Sequence, residues 1–139
     1  MPGTDAFAAV VDALARRDLT AAELAQRLTR AGFEADACAD GLARAAAAGY
    51  LDDERVALER SRRLAERGAS DEAIRVELER RGLAEQLVEA ALAAIEPEQE
   101  RAERLANKLG GGARAARALL RKGYPEDIVE RIAGGPIAE

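Results

Sequence analysis

The sequence predicts an all-α protein of three tandem three-helix repeats that form an elongated, curved array. Three observations predict it. Hydrophobic residues make up 48% of the 139 residues but are mostly Ala and Leu, which with Glu and Arg favour helix, while aromatics are only 3%. A helix-ending pattern of basic residue, Gly and large apolar residue recurs three times in the same context. The four prolines, Pro2, Pro97, Pro125 and Pro136, stand where helices would begin or end, and none falls inside a periodic segment.

The first repeat, residues 1–50, opens with a helix over about Asp5–Arg17. Thr20-x-x-Glu23 is a capping box, so a second helix starts there and runs to Arg30-Ala31-Gly32-Phe33. Gly32 suits the left-handed residue that closes a helix, and Phe33 packs back on the last turn. Cys38 and Leu42 then share one face of a third helix. Gly41 lies inside that helix, at a cost of about 1 kcal/mol relative to Ala. It marks either a close helix crossing or a break.

The second repeat, residues 51–96, repeats the order. Asp52-Asp53-Glu54 opens a long helix over Asp52–Arg67, and Ser70 followed by Asp71-Glu72 caps a middle helix that ends at Arg80-Arg81-Gly82-Leu83. Val88 and Leu92 take the places of Cys38 and Leu42. In the third repeat, residues 97–139, a helix over Pro97–Leu109 precedes a linker, Gly110-Gly111-Gly112. The middle helix closes at Arg121-Lys122-Gly123-Tyr124, and Val129 and Ala133 follow at the same spacing. The repeats are offset by 50 and then 41 residues, so they are not strict copies. Neighbouring units are expected to bury each other's open faces.

Much chemistry is excluded. There is no histidine, hence no imidazole base and no common metal ligand. The single cysteine, Cys38, falls on an apolar helix face where the other repeats have valine, and reads as a small buried hydrophobe. Asp52-Asp53-Glu54 reads as a helix cap, not a magnesium site. Gly110-Gly111-Gly112 lacks the Lys-Ser/Thr ending and the preceding strand of a phosphate loop. The expectation is a binding protein with no catalytic residue, cofactor or metal. A lone cysteine, no basic region before an apolar leader and no run of transmembrane length predict a cytoplasmic protein.

The net charge is −5, unlike a free-standing nucleic-acid binder. Cations nonetheless concentrate locally: Arg104 to Lys122 contains six basic residues and no acidic one. Arg60, Arg63 and Arg67 lie at i, i+3 and i+7 on the long central helix, with Glu59 and Glu66 at hand as partners for a merely solvated face. Arg114, Arg117 and Arg121 repeat that spacing in the third repeat, joined by Lys108 and Lys122, with no acid in their own helix. These eight residues are the candidate binding surface, for phosphates or for acidic protein. Phe33 and Tyr124 sit at the packing position after glycine and are expected in the core, not stacked on bases.

The ordered set of Leu19-Thr20-Ala21-Ala22-Glu23-Leu24 with Leu28 and Gly32-Phe33, then Gly49-Tyr50-Leu51-Asp52-Asp53-Glu54-Arg55, then Ile74-Arg75-x-Glu77-Leu78-x-x-Arg81-Gly82-Leu83, resembles the RecX family of recombinase regulators. Leu119-Leu120-Arg121-Lys122-Gly123-Tyr124 with Ile128 is similar to that family's closing repeat. The sequence departs from the family at Val56 and Ala69, where aromatics are usual, and at Asp71 and Glu72, where basic residues are common. The resemblance implies a protein that binds the RecA recombinase and the RecA–DNA filament along its groove, and a monomer is expected. It would limit ATP hydrolysis, strand exchange and filament growth, with only weak direct contact to DNA and none to membrane. A DNA-binding protein, or a helical scaffold for another partner, are the alternatives.

Overall fold

The computed structural model describes residues 5–134. Its described residues form nine helices and no strand: α1 (Ala6–Arg16), α2 (Ala21–Arg30), α3 (Ala35–Ala47), α4 (Asp53–Glu66), α5 (Asp71–Arg80), α6 (Glu85–Ala94), α7 (Glu98–Lys108), α8 (Gly112–Arg121) and α9 (Glu126–Ala133). Local chemistry sets most boundaries. Asp5, Thr20, Asp52 and Ser70 each accept a hydrogen bond from the backbone N–H three residues on, and Thr20 with Glu23 completes the capping box. Pro97 and Pro125 immediately precede α7 and α9. Pro2 and Pro136 lie outside the described residues.

The ends of the three middle helices share one geometry. Phe33, Leu83 and Tyr124 donate their N–H to the carbonyls of Leu28, Leu78 and Leu119, across a glycine with positive φ in each case. This satisfies carbonyls left open by the last turn and folds the apolar residue back onto the helix. Leu83 and Tyr124 are buried, and Phe33 is half-buried.

The helices group in threes, each group around its own core. Val10, Leu24, Leu28 and Cys38 centre the first, Ile74, Leu78 and Val88 the second, and Leu119, Tyr124 and Val129 the third. Burying each Leu or Ile contributes about 1.5–3 kcal/mol. Leu42 and Leu92 are only half-buried, however, and Ala133 is exposed. The buried stripe of the third helices runs instead through Cys38, Gly41 and Ala45, and through Val88 and Ala91. Gly41 marks a close crossing: a Cβ there would stand 2.9 Å from the Ala6 Cβ and 3.0 Å from the Phe7 nitrogen, so α1 lies directly on α3.

Consecutive units join end-on through their middle helices. The Thr20 hydroxyl donates to the Arg81 carbonyl at 2.7 Å, and the Ser70 hydroxyl donates to the Lys122 carbonyl at 3.0 Å. The N-terminus of α2 therefore abuts the C-terminus of α5, and the N-terminus of α5 abuts the C-terminus of α8. This is a head-to-tail alignment in which the helix dipoles reinforce one another. The first helix of the next unit caps the same termini: Asp53 accepts from the Ala21 N–H at 2.9 Å, and Glu98 from the Asp71 N–H at 2.7 Å. Between the first and third units there is no hydrogen bond or ion pair among the described residues.

Candidate partner-binding surface

The equivalent tasks of Asp53 and Glu98 fix a register between α4 and α7. Val56, Glu59, Arg60 and Arg63 of α4 correspond to Arg101, Arg104, Leu105 and Lys108 of α7. These two sets line two equivalent clefts, one at each junction between units.

At the first junction, Arg60 reaches across to the Asp18 carbonyl at 3.0 Å. Burial, with the nearby Arg81 charge, holds its guanidinium below the usual arginine range. Arg60 is thus a half-buried tie between α4 and the loop after α1, not a member of a free row. Arg63 is exposed beside it, and the two share a cleft of about 330 Å³ with Arg17, Asp18, Val56 and Glu59. Glu59 pairs with Arg55, whose guanidinium also holds Asp18.

The second junction is built differently. Arg101, 3% exposed, stands where α4 has Val56. It donates to the carbonyls of Glu96 and Ala69 at 3.0 and 2.9 Å and pairs with Asp71. A buried guanidinium is tolerated because carbonyls and a carboxylate surround it. Tyr124 donates its hydroxyl to the Gly68 carbonyl at 2.9 Å, and burial pushes its phenol up, so it stays a donor. Beside this knot a groove of about 690 Å³ opens between the end of α4, the end of α6 and α7. Ala65, Ile95 and Leu105 give it an apolar lining, and Arg62, Arg67 and Lys108 are exposed cations along it. Arg104 also lines it and pairs with Glu96.

The structure therefore divides the eight predicted residues into three places. Arg60 and Arg63 belong to the first cleft, Arg67 and Lys108 line the second, and Arg114, Arg117 and Arg121 stand exposed on α8 with Lys122 exposed at its C-cap. None of those last four side chains has an ion-pair partner among the described residues, although the Lys122 carbonyl is engaged by Ser70. Arg62, Arg101 and Arg104 were not among the predicted residues. The α4–α7 register and the position of Arg62 one residue off the i, i+3, i+7 row are the signals that point to them. No group of three or more His, Cys, Asp or Glu suited to hold a metal occurs among the described residues. No described helix is long and apolar enough to cross a membrane. Cys38 is buried, its sulfur 3.7 Å from the Phe33 carbonyl.

Comparison with known proteins bears on the whole array. The family model described as RecX, first three-helix domain, matches residues 6–44. The chain is 33% identical over 103 residues to the regulatory protein RecX of Syntrophotalea carbinolica, covering 73% of this chain and 67% of that protein. It is 39% identical over 93 residues to the regulatory protein RecX of Mycolicibacterium smegmatis, covering 64% of this chain and 49% of the relative. Among solved structures, the crystal structure of RecX from Lactobacillus salivarius superposes with a TM-score of 0.79 at 20% identity, over 93% of this chain and 92% of that one. A second crystal structure, of regulatory protein RecX, gives 0.77 at 21% identity, over 93% of this chain and 71% of that one. The structural likeness speaks for the shared fold of stacked three-helix units. With the sequence identity to the Syntrophotalea protein, it leads to one conclusion: the chain belongs to the RecX family of regulatory proteins.

Proposed function

We propose that this protein binds the RecA recombinase assembled on DNA and limits its ATP hydrolysis, strand exchange and filament growth during recombination, repair and the SOS response. It acts by binding alone, as a cytoplasmic monomer without cofactor. The observation that carries this assignment is the likeness to regulatory proteins named RecX, at 33% identity over 103 residues. The architecture supports it physically. Units joined end-on make a molecule able to span neighbouring subunits of a helical polymer, and the exposed row Arg114, Arg117, Arg121 offers cations to filament DNA or to acidic RecA surface. A net charge of −5 argues against binding naked DNA as the main activity.

The test is binding to preformed RecA–single-stranded DNA filaments at fixed salt, for the wild type and for Arg114→Glu/Arg117→Glu/Arg121→Glu. The wild type should bind, and the variant should lose about tenfold or more in affinity, as expected for several exposed charges reversed together. An unchanged affinity removes the α8 row from the account. Absence of any wild-type binding removes RecA as the partner.

A further inference from the structure

The two junction clefts occupy equivalent positions, yet the arginine that bridges the first, Arg60, has no counterpart at the second, which is crossed instead by the buried Arg101 and Tyr124. At the first, Arg60 crosses to the Asp18 carbonyl and the cleft is about 330 Å³. At the second, the place of Arg60 is taken by Leu105 and that of Asp18 by Gly68. Leu105 rests on Gly68, 3.3 Å from where a Cβ would be, and the groove widens to about 690 Å³. The substitution of a leucine for the bridging arginine leaves apolar surface accessible beside Arg62, Arg67 and Lys108. Those three cations have no ion-pair partner among the described residues.

Apolar lining and free cations together select the ligand. Five residues lining the groove are basic and two acidic, in a chain of net charge −5. A phosphodiester backbone has nothing to offer Ala65, Ile95 or Leu105 and meets no aromatic for base stacking. A polypeptide carrying leucine-like side chains between carboxylates satisfies both kinds of surface. We propose that the groove between the second and third units is a docking site for an acidic segment of a partner protein with apolar anchor residues. This goes beyond the filament assignment, since it concerns a site distinct from the α8 row and holds for whichever protein carries the segment.

The experiment is fluorescence anisotropy with the full chain and a short labelled peptide in which Asp and Glu flank a pair of leucines. No recombinase is present, so a negative result here leaves the RecA assignment standing. Saturable binding is expected. It should weaken about tenfold or more in Arg67→Glu/Lys108→Glu, and comparably when the peptide's leucines become serines, a change that leaves the protein untouched. Arg30→Glu, an exposed charge change on α2, should have no effect. The proposal is overturned if the peptide does not bind, if it binds the double variant equally well, or if its leucines are dispensable. It is equally overturned if a single-stranded oligonucleotide displaces the peptide with the same dependence on Arg67 and Lys108.

Discussion

Thr20 and Arg81 are 61 residues apart, and the Thr20 hydroxyl joins them by donating to the Arg81 carbonyl at 2.7 Å. The same oxygen accepts the Glu23 N–H at 3.1 Å, so one hydroxyl caps the start of α2 and the end of α5. The Arg81 guanidinium adds an ion pair to Glu23 at 3.2 Å. Ser70 does for α5 and α8 what Thr20 does for α2 and α5, accepting from Ala73 and donating to Lys122. Both hydroxyl residues are fully buried. The array is therefore held by polar joints between helix ends, in addition to the apolar core inside each unit.

Removing either hydroxyl should loosen its joint. Thr20→Val keeps the volume but strands a buried N–H and a buried carbonyl, a cost of about 1–3 kcal/mol, and Ser70→Ala should cost a similar amount. Thr20→Ser should recover most of the loss. Urea unfolding checks this: a lower midpoint at unchanged slope supports the joint, and a shift under about 0.5 kcal/mol contradicts it.

The glycines of the joints should differ from the glycine at the free end. Gly32 and Gly82 both have positive φ, 96° and 81°, which costs an L-residue about 1–2 kcal/mol. A Cβ on Gly32 meets nothing within 4 Å, whereas one on Gly82 would stand 2.4 Å from the Ala22 Cβ in the preceding unit. Gly82→Ala should therefore destabilise by about 1–3 kcal/mol more than Gly32→Ala, because it also overpacks the joint. Equal effects in thermal unfolding would mean that the α2–α5 contact yields freely.

Much of this was legible in the residues because it is local chemistry. A capping threonine is readable with its glutamate three positions on, and a helix-closing glycine with the apolar residue behind it. The second use of Thr20 and Ser70 was not legible, since their acceptors come from the next repeat. Periodicity placed Arg60 in a row with Arg63 and Arg67, but i, i+3, i+7 spacing describes a helix surface and not what lies against it. Arg60 meets the loop after α1, and Arg67, at the C-cap of α4, turns toward α7. The burial of Arg101 is not legible in the sequence, because a cation in the first turns of a helix reads as exposed, whereas three carbonyl and carboxylate partners draw it inside. Ala133 was expected to match Leu42 and Leu92, yet α9 ends there and leaves it in solvent.

Glu98 should leave a mark on the pH dependence of stability. Burial pushes its carboxyl up, although it accepts the Asp71 N–H. The folded state then holds that proton more tightly than the unfolded chain. Its contribution is full below the ordinary carboxylate value of 4.5 and is lost as pH rises through the raised folded value. Glu98→Gln keeps an acceptor for Asp71 and removes the titration. The stability of the wild type relative to this variant should therefore fall with rising pH across the mildly acidic range, measured by urea unfolding at several pH values. Parallel profiles would contradict the assignment of a raised carboxyl to Glu98.

Regulation of RecA by binding its filament is the proposed activity. The ATPase rate of preassembled RecA–single-stranded DNA filaments, titrated with this protein well below one copy per protomer, tests it most directly. The rate is expected to fall at low stoichiometry, since a molecule that spans neighbouring protomers engages more than one subunit per copy. An unchanged rate, even with the protein in excess, would contradict it and direct the search to another partner.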